Sequence, residues 1–407
     1  MHLPTEILVD VLEYLSADRA TLRTCVLVNR RWATVGLDVL WSSRCGSERQ
    51  PFACLAVLGS EERQSAAEGM TALSFDDGRR SAEALRIITR CNIGFPRLHT
   101  LSFTGVSLGT WSLQPFLGSP LETVCLASIR NSYPRVPQED VLEMLAENSS
   151  CLRKLSLYDH FYNSTVESLL KLLKASSKLE SVSLESAHFM SEDVATYLLQ
   201  REDIRDLKLK CYGHWAVSTR LLSEDVIRVP QLKALSLECS ETDHLAILLP
   251  KIPALADLYL STGAEVPLDI LTLVAASSRL EHLQLIFWGD GKLEASDLLH
   301  LTRLSHLRSL VLGSTSSKAV LEHPTPEQQT RLFSAFPRLE KCRVHLECEF
   351  GTPALLALAR TSPLLEELRL RGKFALQTLD QFEDAPFPCL RRLIIDSIDA
   401  QDMASDE

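Results

Sequence analysis

From residue 70 onward the apolar positions fall in a repeated order, L-x-x-L-x-L, with another aliphatic, an aromatic or a Cys standing in at some of them. The order appears as MTALSF at 70, LHTLSF at 98, LETVCL at 121 and LRKLSL at 152. It continues as LESVSL at 179, IRDLKL at 204, LKALSL at 232, LADLYL at 255 and LEHLQL at 280. LRSLVL at 307, LEKCRV at 339, LEELRL at 365 and LRRLII at 390 complete thirteen copies, spaced 23 to 32 residues apart. The fourth and sixth positions alternate with polar ones, which predicts a short strand with one face buried. Between copies the period becomes helical, as in STVESLLKLLKASS (164–177), SEDVATYLLQ (191–200) and TPALLALARTS (352–362). Ser191 with Asp193 and Thr352 with Pro353 mark helix starts. One strand and one helix cannot bury their own leucines, so neighbouring units must stack. Helices are wider than strands, so the predicted stack curves, with parallel strands on its inner wall.

Residues 70–407 therefore resemble the leucine-rich repeat family. The resemblance implies an α/β solenoid with a parallel inner sheet and outer helices. One feature of that family is missing: the Asn or Cys expected three residues after the last leucine is replaced by Ile129, His160, Ala187, Tyr212 and Trp288. An irregular arc without an asparagine ladder is the expectation.

The chain opens differently, with LPTEILVDVLEYL from Leu3 to Leu15. Ile7, Leu8, Val11, Leu12 and Leu15 fall on one stripe of a 3.6-residue period, a broad apolar face for so short a helix. Asp18 is a predicted N-cap for a second helix carrying Leu22, Val26 and Leu27. Asn29 is one for a third, carrying Trp32, Val35 and Leu40. Three helices in about 40 residues are at the lower limit for an independent core. Such a unit packs on the solenoid as a cap or docks on a partner.

Leu3-Pro4-x-Glu6-Ile7-Leu8, Val11-Leu12-x-x-Leu15, Cys25-x-x-Val28-x-x-x-Trp32 and the closing Leu40-Trp41 resemble an F-box, in a style similar to F-box proteins of fungi. The resemblance implies a small all-α three-helix domain that docks on the Skp adaptor of a cullin-RING ubiquitin ligase, while the rest of the chain presents a protein substrate. It assigns the adaptor face to Leu3, Pro4, Ile7, Leu12, Leu15, Val28 and Trp32. The expected organisation is an F-box at 1–41, a partly helical connector at 42–69 and repeats at 70–407. A leucine-rich repeat scaffold with no ubiquitin role is the alternative, and adaptor binding by residues 1–41 separates the two.

Composition narrows the choice further. A net charge of −11 argues against a dedicated nucleic-acid binder, which needs a basic face. No run of about 18 apolar residues occurs, so no membrane span is expected. The eleven cysteines form no CxxC pair, and no basic-then-apolar leader precedes them. Reduced thiols in a cytosolic or nuclear protein follow, with no metal. Gly289-Asp290-Gly291-Lys292 lacks the upstream Gly and the Ser/Thr of a phosphate loop. No G-x-S-x-G or H-E-x-x-H stretch is present. A non-catalytic protein without cofactors is expected.

Binding is then expected on the inner wall, where the third and fifth hexamer positions and the residue just after the sixth project. Arg343, Arg369 and Arg371 form a basic set there, suited to an acidic or phosphorylated segment. Tyr212, Trp215, Tyr259 and Trp288 are the aromatic candidates, since exposed aromatics with Arg anchor protein interfaces.

Overall fold

The computed structural model describes residues 4–15, then 18, 21, 24, 25, 28, 29, 31, 32, 35, 36 and 64. From 67 to 398 it describes all but 76–78, 106–112, 128–140, 159–163, 187–188, 190, 211–228, 240–242, 263–269, 289–291, 315–319, 322 and 347–349. Nearly all of the expected connector (42–69) thus lies outside the described residues. The chain divides into two compact units, Met1–Phe189 and Met190–Glu407.

In the first unit, β1 (Ala72–Phe75), β2 (Thr100–Thr104), β3 (Thr123–Ala127), β4 (Lys154–Tyr158) and β5 (Ser181–Glu185) pair in sequence order, all parallel. In the second, β6 (Asp206–Lys210), β7 (Ala234–Cys239), β8 (Asp257–Thr262) and β9 (His282–Phe287) pair likewise. β11 (Ser309–Ser314), β13 (Lys341–His345) and β15 (Glu367–Phe374) continue that sheet. A separate small pair joins β10 (Lys292–Leu293) to β12 (Val320–Leu321). β14 (Phe350–Gly351) and β16 (Arg392–Ile398) both pair with β15. Each of the thirteen hexamers starts its strand at its third residue. The fold is α/β, a parallel sheet built from stacked strand–helix repeats, as the hexamer pattern predicts.

The reason is packing. The first, fourth and sixth hexamer residues are buried almost without exception, for example Leu98, Leu101 and Phe103, each with no exposed area. Each such side chain contributes about 1.5–3 kcal/mol on leaving water. Helices Val166–Ala175, Glu192–Leu199 and Thr352–Thr361 occupy the predicted helical stretches. Ser191 caps the second, its hydroxyl accepting from the Val194 N–H. Gly351 rather than Thr352 is the N-cap of the third; the Thr352 hydroxyl instead accepts from the Ala375 N–H at 3.0 Å. Irregularity sits in the connections, which range from the thirteen-residue helix Arg79–Cys91 to four-residue ones such as Gln114–Leu117 and to 3-10 turns at Leu249–Lys251 and Leu299–Arg303.

Successive strands are also tied at their starts. Within each unit, the carbonyl of a hexamer's second residue accepts two N–H groups from the next copy. His99 and Thr100 donate to Thr71, Glu122 and Thr123 to His99, and Arg153 and Lys154 to Glu122. The second unit repeats this through Lys233, Ala256, Glu281, Arg308, Glu340 and Glu366. No asparagine side chain is needed for this ladder.

The first unit holds an aromatic core. Phe75 stacks on Phe103 at 4.9 Å between ring centroids, Phe95 stacks on Phe116 at 5.3 Å, and Phe116 meets Phe75 and Phe103 edge-on. All four rings are buried.

Candidate functional site

The N-terminal helix Thr5–Tyr14 carries more apolar surface than one neighbour can cover, and the structure splits it in two. Leu8 and Leu12 point inward and form a small core with Val35, against which Val9, Leu15, Cys25 and Trp32 pack. Asp18 and Asn29 hold the turns: the Thr21 N–H donates to Asp18 and the Trp32 N–H to Asn29 at 3.0 Å. Arg31 donates to the Thr5 hydroxyl at 2.9 Å, fastening the third helical stretch to the first.

The other half of the stripe faces solvent. Ile7 is 48% exposed, Val11 38%, Tyr14 88% and Val28 60%. Among the described residues these are four of the seven exposed large apolar side chains, gathered within 22 positions of one another. Pro4 is exposed beside them as the helix N-cap. Of the expected adaptor residues, Pro4, Ile7 and Val28 therefore reach the surface. Leu15 and Trp32 are half-buried, and Leu12 lies in the interior holding the helices together. Leu3 lies outside the described residues. Val11 and Tyr14 were not in the expected set; their spacing from Ile7, four and then three residues, is the signal that marks one helix face.

On the second unit's sheet, parallel register lines up side chains from successive repeats in rows. One row runs Asp206, Ala234, Asp257, His282, Ser309, Lys341, Glu367 and Arg392. The next runs Lys208, Ser236, Tyr259, Gln284, Val311, Arg343, Arg369 and Ile394. Small residues at Ala234, Ser236 and Ser309 leave a groove of about 210 Å³, with Tyr259, Asp257 and His282 along it. His282 stands 3.7 Å from Asp257. Burial pushes the Asp257 carboxyl up, opposed by His282.

The expected basic set is divided by its partners. Arg343 donates to Glu367 at 2.5 Å, and Arg392 adds a longer pair to the same carboxylate at 3.7 Å. The Arg343 bond holds the Glu367 carboxyl below the usual glutamate range. Arg343 is thus committed within the fold, while Arg369 and Arg371 are exposed. Trp288 is 38% exposed just past β9, its N–H bonded to the Thr262 carbonyl. Tyr212 and Trp215 lie outside the described residues.

Sequence reasoning missed a third row, at the second hexamer position. Arg153 pairs with Glu180 at 2.6 Å, and Arg308 pairs with Glu281 at 3.3 Å and with Glu340 at 3.0 Å. Alternating charge at that position along the copies was the available signal. Exposed pairs of this kind contribute about 0.2–1 kcal/mol each and favour the right neighbour more than they stabilise. Among the described residues no group of His, Cys, Asp and Glu is placed to hold a metal ion. The Cys342 thiol is fully buried and pushed up to about 12, which leaves it no nucleophilic character near neutrality. No helix among the described residues is long and apolar enough to cross a membrane.

Residues 1–47 match the family model described as F-box-like, so the helices around the Leu8–Leu12–Val35 core belong to an F-box-like domain. Among solved structures, the chain is similar to one in the crystal structure of the Rad7 and Elc1 complex in yeast. The identity is 14% and the TM-score 0.47, over 98% of this chain and 86% of that one. No curated protein matches the chain.

Proposed function

We propose that this protein is a non-catalytic substrate-recognition subunit of a Skp-cullin-F-box ubiquitin ligase. Its F-box at 1–41 docks a Skp-family adaptor, and through it a cullin; residues 42–69 connect it to the repeats of 70–407, which bind a protein substrate in the cytoplasm or nucleus. The observation that carries the reading is the uncovered apolar row of Ile7, Val11 and Tyr14 along one helix face, with Val28 also exposed, on a domain of F-box-like sequence. Contiguous exposed apolar surface on a small helical unit marks a protein interface.

The test is binding of the full-length protein to a purified Skp-family adaptor by calorimetry. Ile7→Asp and Val28→Asp remove apolar contacts without touching the Leu8–Leu12–Val35 core. Each is expected to weaken binding at least about 30-fold, the equivalent of roughly 2 kcal/mol at an interface centre. Leu12→Asp is expected to abolish binding by a different route, unfolding the helical cluster by burying a charge. A folded wild-type protein that ignores the adaptor would leave the repeat scaffold without a ubiquitin role as the better reading.

A further inference from the structure

The hexamer at 390 breaks the burial rule that the other twelve keep. Their fourth residue is at most 2% exposed, whereas Leu393 is 43% exposed. Leu390 and Ile395, its first and sixth residues, are half-buried where their counterparts are buried. The outer layer thins at the same place. The 3-10 turn Leu376–Gln381 contains no buried residue, and Phe382 and Phe387 after it are only half-buried. Each stacked repeat buries its apolar layer against the next, and among the described residues this layer has no next one.

The sheet is open in the same repeat. β16 pairs with β15, and among the described residues no strand pairs with its other edge. Backbone N–H and C=O groups of successive strand residues point to opposite edges. The Arg392 N–H binds the Glu366 carbonyl, on the side of β15. The backbone groups of Leu393 and Ile395 therefore face the open edge. An apolar strand edge of this kind is a template for another strand.

We infer that β16 is a self-association surface, pairing antiparallel with β16 of a second copy of this chain about a two-fold axis at Ile394. The order of residues along the strand selects this partner. Residues directly opposite each other share a face of the sheet, so the axis must pass through a residue and not between two. Centred on Ile394, it sets Arg392 opposite Asp396 and Leu393 opposite Ile395, each pair formed twice. Centred on Leu393, it would set Arg392 against Ile394 and Leu390 against Asp396. Centred on Ile395, it would set Ile394 against Asp396 and Leu393 against Ser397. Of these three registers only the first matches unlike charges and joins apolar to apolar, the cross-strand pairs that stabilise a sheet. In that register Leu393 of one copy and Ile395 of the other exchange both backbone hydrogen bonds, using the groups that face the open edge. The same symmetry brings the two half-buried apolar layers together, each supplying the neighbour that the other lacks.

The test is sedimentation equilibrium of the full-length protein over a range of concentrations. Wild type is expected to move from one chain mass to two as concentration rises, and Leu393→Asp to stay at one. Arg392→Asp and Asp396→Arg each set like charges opposite one another twice in the dimer, and each should weaken association at least about tenfold. The double variant Arg392→Asp/Asp396→Arg restores unlike pairs with the signs exchanged, and should return association to within about threefold of wild type. Ile394→Cys reports the register, because Cα atoms opposed at the axis lie about 4.5 Å apart, within the reach of a disulfide. Mild oxidation should link that variant into dimers and leave wild type and Ile395→Cys unlinked. If Leu393→Asp misfolds by circular dichroism, the charge exchange decides. Wild-type protein that stays at one chain mass overturns the inference, as does a folded Leu393→Asp variant that associates as wild type does. So do single charge variants that weaken association without rescue in the double, or linkage of the Ile395→Cys variant in place of the Ile394→Cys one.

Discussion

Phe116→Ala should cost the first unit about 3–5 kcal/mol, a large part of what a domain of this size has to spare. Phe116 sits on the four-residue helix Gln114–Leu117 and is fully buried. Its ring touches Phe95 face to face and Phe75 and Phe103 edge-on, so truncation opens a cavity lined on three sides by aromatic faces. A helix this short cannot slide inward to fill the space, because Ser119 anchors its far end by donating to the Phe95 carbonyl at 2.6 Å. Urea unfolding measures the loss, and Phe116→Leu should recover most of it, since the volume change is small. An alanine variant within about 1 kcal/mol of wild type would mean that the site collapses freely and that the four rings are not the unit's core.

The second large effect is expected at Gly372. Its φ of +146° is one that side-chain-bearing residues rarely adopt. A Cβ there would lie 1.9 Å from the Phe350 carbonyl oxygen and 2.8 Å from that residue's backbone N and C. Backbone atoms cannot swing aside, so Gly372→Ala must break the β14–β15 pairing. Strain and lost pairing together should cost about 2–4 kcal/mol. Amide exchange reports where: the Gly351 and Lys373 amides should lose protection while those of β6 to β9 keep theirs. Unchanged protection at Lys373 would show that β15 does not need the pairing that places its last cation.

The strands were legible in the sequence because a hexamer with three buried positions repeats thirteen times, and repetition turns a weak local signal into a strong one. Helix positions followed from the same periodicity, as at 166–175 and 192–199. Features that depend on who faces whom were harder to read. The stripe of the first helix looked single, yet Leu8 and Leu12 go inward while Ile7 and Val11 stay out. Sequence spacing cannot say how much of a wide stripe a small partner element covers. Arg343 and Glu367 are 24 residues apart, and only the register of β13 on β15 brings them together. Phe116 carried no repeat signature at all, and neither did the demand for glycine at 372. Both arise from neighbours that are distant along the chain.

The shared carbonyls at the strand starts make each repeat lean on the one before it. Under mechanical load this arrangement behaves like a stack of latches in series. Tension applied at β16 falls first on the Arg391 and Arg392 bonds to Glu366, and the next latch, Glu366 and Glu367 on Glu340, is loaded only after they part. The hexamers at 365 and 390 are 25 residues apart, so opening one latch pays out roughly 80–90 Å of chain. The second unit would therefore yield to a pulling machine in steps of one repeat, with most of its sheet still standing after the first.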